Sequence, residues 1–196
     1  MSAMNTAAQS YMSRHGVPDI VIANAGISIG TLTEFEDDAE VFRKTLETNV
    51  LGLVHTFQPF LAPMRAARRG AFVGIASVAG FRGLPGAAAY SASKAAAIRY
   101  LESLRVELHG SGVRVVTLCP GFIATQMTAR NPYPMPFILE VNDAARRMAR
   151  AIDSGTSYRV IPWQMAIVGR ILGLLPNIVY DRLLAGRARK PRKAGA

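Results

Sequence analysis

The alternation of short, unbroken apolar runs with longer stretches of helical period constrains this chain more than any other feature of its sequence. The runs are residues 19–23 (DIVIA), 71–76 (AFVGIA), 113–119 (VRVVTLC) and 158–161 (YRVI). Each is apolar continuously rather than at every second residue, as expected of strands covered on both faces. Helical patterning fills the residues before His15 and residues 38–67, 90–109 and 142–154. Pro59 and Pro63 mark the last turns of the second helix, and Gly110 and Gly112 stop the third. Strand and helix in alternation predict successive βα units around a parallel sheet, an α/β fold.

With 196 residues, half of them hydrophobic, the chain can close one sizeable core. Residues 1–161 read as the sheet-bearing domain and residues 162–196 as an apolar helical segment followed by a basic tail. A single cysteine, Cys119, excludes a disulfide framework and reads as a buried strand residue. The first fifteen residues are polar and lack the apolar stretch of a secretory leader, so a cytoplasmic protein is expected. The net charge of +10 raises the question of nucleic acid. No zinc spacing, helix-turn-helix pattern or aromatic-basic interleaving supports that reading. Arg182, Arg187, Arg189, Lys190, Arg192 and Lys193 crowd the C-terminus and read as a solvated tail. His15, His55 and His109 have no acidic neighbour and read as structural or solvated, and no metal site is expected.

Residues 122–139, with Pro132, Pro134 and Pro136, read as a long irregular loop, a candidate substrate lid. The segment 163–175 (WQMAIVGRILGLL) is too short to span a bilayer, which takes about 20 residues. It reads as a helix packed on the domain, a helix over a substrate pocket, or an interfacial helix whose basic tail meets anionic lipid. Peripheral membrane contact through 163–193 is the last of these.

Tyr90 and Lys94 stand four apart at the start of a helix, so their side chains project from one face. A phenol with an ordinary pKa of about 10 is a poor acid or base at neutrality, and a neighbouring ammonium favours its ionised form. Ser77 follows a buried strand at its carboxyl end, where α/β sheets bind ligands. A hydroxyl there can polarise a carbonyl for hydride attack.

In order along the chain, these residues and several others resemble the short-chain dehydrogenase/reductase family. Asn24-Ala25-Gly26 after DIVIA matches its NAG motif, Asn49 its catalytic asparagine, Ser77 its serine, and Tyr90 with Lys94 its YxxxK pair. Pro120-Gly121, with Ile123 and Thr125, matches the PGxIxT stretch that flanks the nicotinamide, and the match runs from about residue 10 to residue 161. The resemblance implies a Rossmann-like, doubly wound parallel sheet of which this chain holds strands four to seven. It also implies an oxidoreductase that interconverts a carbonyl and a secondary alcohol with NAD or NADP. Tyr90 would donate or accept the proton, Lys94 would lower its pKa and hold the nicotinamide ribose, Ser77 would orient the substrate oxygen and Asn49 would anchor a relay water. Asn24, Ala25, Gly26, Pro120, Gly121, Ile123 and Thr125 would line the cofactor, and Leu84, Phe122 and Met127 an apolar pocket suited to a hydrophobic small-molecule substrate.

The family's glycine-rich TGxxxGxG turn has no counterpart in the sequence. An N-terminally truncated form with impaired cofactor binding is therefore expected, its first strand left as an apolar edge. Members usually form dimers or tetramers through the two long helices. Here Ala92, Ala95, Ala96, Ile98, Leu101, Leu104 and Leu108 suit either that pairing or packing on the sheet. The alternative to an enzyme is a non-catalytic remnant, an oligomerisation or binding module on the same scaffold.

Overall fold

A computed structural model describes residues 2–129 and 131–192; Arg130 of the proline-rich loop and Lys193 of the basic tail lie outside the described residues. Helix α1 (Ser2–His15) leads into strand β1 (Ile20–Ala23). Helix α2 (Asp38–Leu46), a π-helical turn (Glu47–Leu51) and helix α3 (Gly52–Ala67) then follow without a break. Strand β2 (Ala71–Ile75), a 3₁₀ turn (Val78–Gly80), helix α4 (Ala88–Glu107) and strand β3 (Arg114–Pro120) come next. The chain continues as α5 (Val141–Asp153), β4 (Tyr158–Ile161), α6 (Trp163–Leu174) and α7 (Asn177–Leu184).

All four strands are parallel and lie side by side in sequence order, β1-β2-β3-β4. Alternation along each strand splits the core in two. Phe72 and Val115 pack under α1, α3 and α4 with Phe57, Met64, Leu101 and Leu104, while Val73, Val116 and Leu118 pack under α5 with Ala151 and Ile152. Each fully buried side chain of this size contributes about 1.5–3 kcal/mol. The strands advance in one direction throughout, yet α5 lies on the face opposite α3 and α4. The third crossover therefore has the opposite hand to the first two, although parallel crossovers keep to one hand in about 98% of cases. Residues 121–140 provide the length that this reversal needs, passing the carboxyl ends of the strands on the way.

At β1 the sheet has an edge. Val21 and Ala23 are buried beneath α3, but Ile20 and Ile22, on the other face, are 42% and 49% exposed. On α4 the ambiguity of the apolar positions is resolved: Leu101, Leu104 and Leu108 are buried in the core, whereas Ala92 and Ala96 are exposed.

Several expectations need correcting. The helix over 38–67 is continuous but not uniformly α, because the π turn interrupts it at Glu47–Leu51. Pro176 lies between α6 and α7 and caps the start of α7, where proline's missing N–H costs nothing. The basic tail is solvated only in part: Arg182, Arg187 and Arg189 are exposed, but Lys190 and Arg192 are drawn in. Arg192 donates to both oxygens of Asp38 at 2.7 and 3.1 Å and lies over the Phe35 ring, and the N–H of Gly30 donates to the Pro191 carbonyl at 3.0 Å. A carboxylate that is only 7% exposed draws the guanidinium in, and the Arg192 hydrogen bonds and the Leu32 N–H hold its pKa below the usual range. Residues 189–192 thus strap across the carboxyl end of the sheet.

Candidate active site

Where β1, β2 and β3 end, their connections surround one cleft of about 680 Å³. Asn24, Ala25 and Gly26 follow β1, Ser77 follows β2, and Pro120 and Gly121 close β3. The loop beyond adds Phe122, Ile123, Thr125 and Met127, while Leu84, Tyr90 and Lys94 complete the wall. Every residue singled out from the sequence lines this cleft except Asn49, which lies behind it.

Ser77 is extended and caps the 3₁₀ turn, its Oγ accepting the Ala79 N–H at 3.1 Å and donating to the Pro120 carbonyl at 3.4 Å. That turn rests directly on α4. A Cβ on Gly80 would stand 2.7 Å from the Lys94 carbonyl carbon and 2.8 Å from the Ala95 nitrogen, so only glycine allows the contact that brings Ser77 beside the start of α4.

Lys94 is 4% exposed, and its Nζ donates to the Ile75 carbonyl at 2.8 Å and lies 5.7 Å from the centre of the Tyr90 ring. Burial depresses its pKa to about 8, against a small opposing influence from Cys119. Tyr90 is pushed the other way. Burial raises the pKa of its phenol, an interaction with the Ser77 hydroxyl offsets part of that, and Tyr133 adds to the rise. Burial thus sets the direction of the Tyr90 shift, and Lys94 is not among its causes. Cys119 is fully buried, its thiol pushed up to about 11 by desolvation.

Asn49 sits in the π turn, 1% exposed. Its Oδ1 accepts the Ile27 N–H at 2.8 Å, and its Nδ2 donates to the Ile27 carbonyl and to Ser93 Oγ, both at 2.9 Å. It clamps the segment after β1 to α4. Single π turns inside α-helices cluster at functional sites, and this one aims the amide at the 24–27 segment.

Ser28, Tyr133 and Lys190 also line the cleft and were not anticipated. Ser28 adjoins the NAG motif, which was its one local signal. Lys190 arrives on the strap, its Nζ donating to Ser28 Oγ at 2.7 Å and lying 5.8 Å from the Tyr90 ring centre. A second, apolar cavity of about 390 Å³ adjoins the first, sharing Leu84, Phe122, Tyr133 and Lys190 and reaching under Met165, Val168 and Leu172 of α6. Arg82 fastens the α6–α7 corner over it by donating to the carbonyls of Leu172 and Leu175 and stacking on Tyr180.

A hydroxyl, a phenol and an ammonium thus line one cleft at the carboxyl ends of a parallel sheet. The short chain dehydrogenase family model matches residues 1–134, and the chain belongs to this family. An uncharacterised oxidoreductase of Myxococcus xanthus is 45% identical over 163 residues, 83% of this chain and 64% of that protein. The 3-oxoacyl-[acyl-carrier-protein] reductase FabG of Chlamydia muridarum is 35% identical over 61% of this chain and 48% of its own length. The chain thus spans from about half to just under two thirds of these relatives. Among solved structures, a short-chain dehydrogenase from Burkholderia cenocepacia in complex with NADP superimposes with a TM-score of 0.80 at 28% identity. The match covers 94% of this chain and 74% of that one.

Proposed function

We propose that this chain carries the substrate and nicotinamide half of an NAD- or NADP-dependent oxidoreductase that interconverts a carbonyl and a secondary alcohol. The convergence of Ser77, Tyr90 and Lys94 on one cleft is the observation that supports this reading. The residues fit a nicotinamide ribose: with no side chain on Gly26, its Cβ position lies 3.4 Å from Asn49 Oδ1 and 3.5 Å from Lys94 Nζ, leaving a floor of polar atoms. A reduced nicotinamide, when bound, supplies the hydride. Ser77 Oγ–H donates to the carbonyl oxygen and polarises it, and the Tyr90 phenol gives its proton to the same oxygen as charge develops there. In the reverse direction Tyr90 takes the alcohol proton. Lys94 stabilises the phenolate left behind, and Asn49 holds the 24–27 segment against which the cofactor would lie.

The apolar cavity favours a hydrophobic substrate, and the 122–139 loop, whose first half lines the cleft, serves as its lid. The exposed outer face of α6 is read as a lipid-facing surface of a cytoplasmic protein, and the exposed Ala92–Ala96 side of α4 as the contact with a second copy. The described sheet has no strand beyond β1 to carry an adenosine site, so the 196-residue polypeptide is expected to hold pyridine nucleotide weakly; micromolar binding in a fluorescence titration would contradict this. The test of function is turnover of an apolar ketone at saturating NADPH. Tyr90→Phe should lower kcat roughly 10²- to 10⁴-fold. An unchanged rate in that variant would overturn the reading and favour a non-catalytic binding module.

A further inference from the structure

The strap sets a second ammonium against Tyr90. Its two basic residues on the cleft side differ in one respect. Arg192 is neutralised by Asp38, whereas Lys190, two positions earlier, has no carboxylate partner among the described residues. Its one hydrogen bond goes to the neutral Ser28 hydroxyl, and the other cation of the cleft, Lys94, adds no compensation. An ammonium has three donors, and among the described residues two of them meet no acceptor. Lys190 is also half withdrawn from water, which lowers its pKa. A partly desolvated, unpaired charge costs stability that an incoming anion can recover. Its position is specific as well, because Lys190 lines both cavities and stands where the apolar one opens toward Tyr90.

We propose that Lys190 is a specificity-determining residue that binds an anionic group of the substrate. The cleft then selects carbonyl or alcohol compounds with an apolar chain and a carboxylate, or an equivalent anion, near the reacting oxygen. The chain enters the cavity beneath α6 while the anion meets Lys190 and Ser28. The inference rests on the reading of Tyr90 as the proton donor only in placing the reacting oxygen. An anion-dependent affinity exists with or without hydride transfer.

Calorimetric titration of the full chain with decanoate and with decanol tests it. Wild type should bind decanoate roughly tenfold or more tightly than decanol, the discrimination that a charge-assisted hydrogen bond provides. Lys190→Gln should erase the difference with an unchanged melting temperature, and Lys190→Arg should keep it. Equal affinity for the two probes in wild type, binding of neither, or a preference that survives Lys190→Gln overturns the proposal. So does a loss in Lys190→Gln of NADPH affinity alone, which assigns the charge to the cofactor. Tyr90→Phe keeps the decanoate preference while losing ketone turnover, so failure of the reductase reading would be seen separately, as turnover indifferent to Tyr90.

Discussion

Two buried groups of opposite tendency face each other in the cleft, and their displacement fixes a pH dependence. Tyr90 stays protonated because burial raises its pKa, so the proton donor persists as pH increases. Lys94 titrates near 8 and loses its charge above that value. The rate of carbonyl reduction should therefore fall as pH rises through about 8. In Lys94→Arg, whose guanidinium stays protonated, the falling limb of the kcat/KM profile should move to higher pH. Asn49→Ala would remove the partners of the half-buried Ile27 N–H and carbonyl, at a cost below the about 1–3 kcal/mol of a fully buried unpaired group. A clear drop in melting temperature should accompany a raised KM for nucleotide. Ser77, Tyr90 and Lys94 were legible in the sequence because their spacing is local: a strand end, then two helix positions one turn apart. Lys190 was not, because its partner lies 162 positions away and nothing in a run of arginines marks one lysine for the interior.

Among the elements, α6 has two unlike faces. Met165, Val168 and Leu172 look inward to the cavity, while Trp163, Ile167, Ile171 and Leu174, at helical spacing, look outward, with Trp163 63% and Leu174 84% exposed. The segment both packs on the domain, through the buried Met165, and covers the apolar cavity. No helix among the described residues is long and apolar enough to cross a membrane, but an exposed apolar stripe of this size marks a contact surface. With the basic residues that follow α7, among them Arg187, beside it, the chain should co-sediment with anionic vesicles at low salt, and Ile171→Ser with Leu174→Ser should release it. Protein that stays in the supernatant would argue for a second copy of the chain on that face. Element types were readable from period, whereas the π turn was not: one extra residue in a helix shifts the pattern too little to register. α7 escaped notice because eight residues carry too short a period to register.

For the whole molecule, continuous apolar runs announced a parallel sheet covered on both faces, and the two central strands, β2 and β3, meet that description. β1 does not, because Ile20 and Ile22 lie open beside an unpaired edge, an arrangement prone to pairing with other chains. Ile22→Lys should raise the concentration at which the chain aggregates, followed by light scattering, while leaving its melting temperature nearly unchanged. The hand of the β3–α5–β4 crossover could not be read, since no local residue pattern encodes it. The strap carries a consequence for biosynthesis. The strands are complete by residue 161, whereas the wall formed by Lys190 comes from the segment after α7. In synthesis from the N-terminus the residues of the sheet therefore precede the last wall of the cleft, and the ligand cage closes after the sheet.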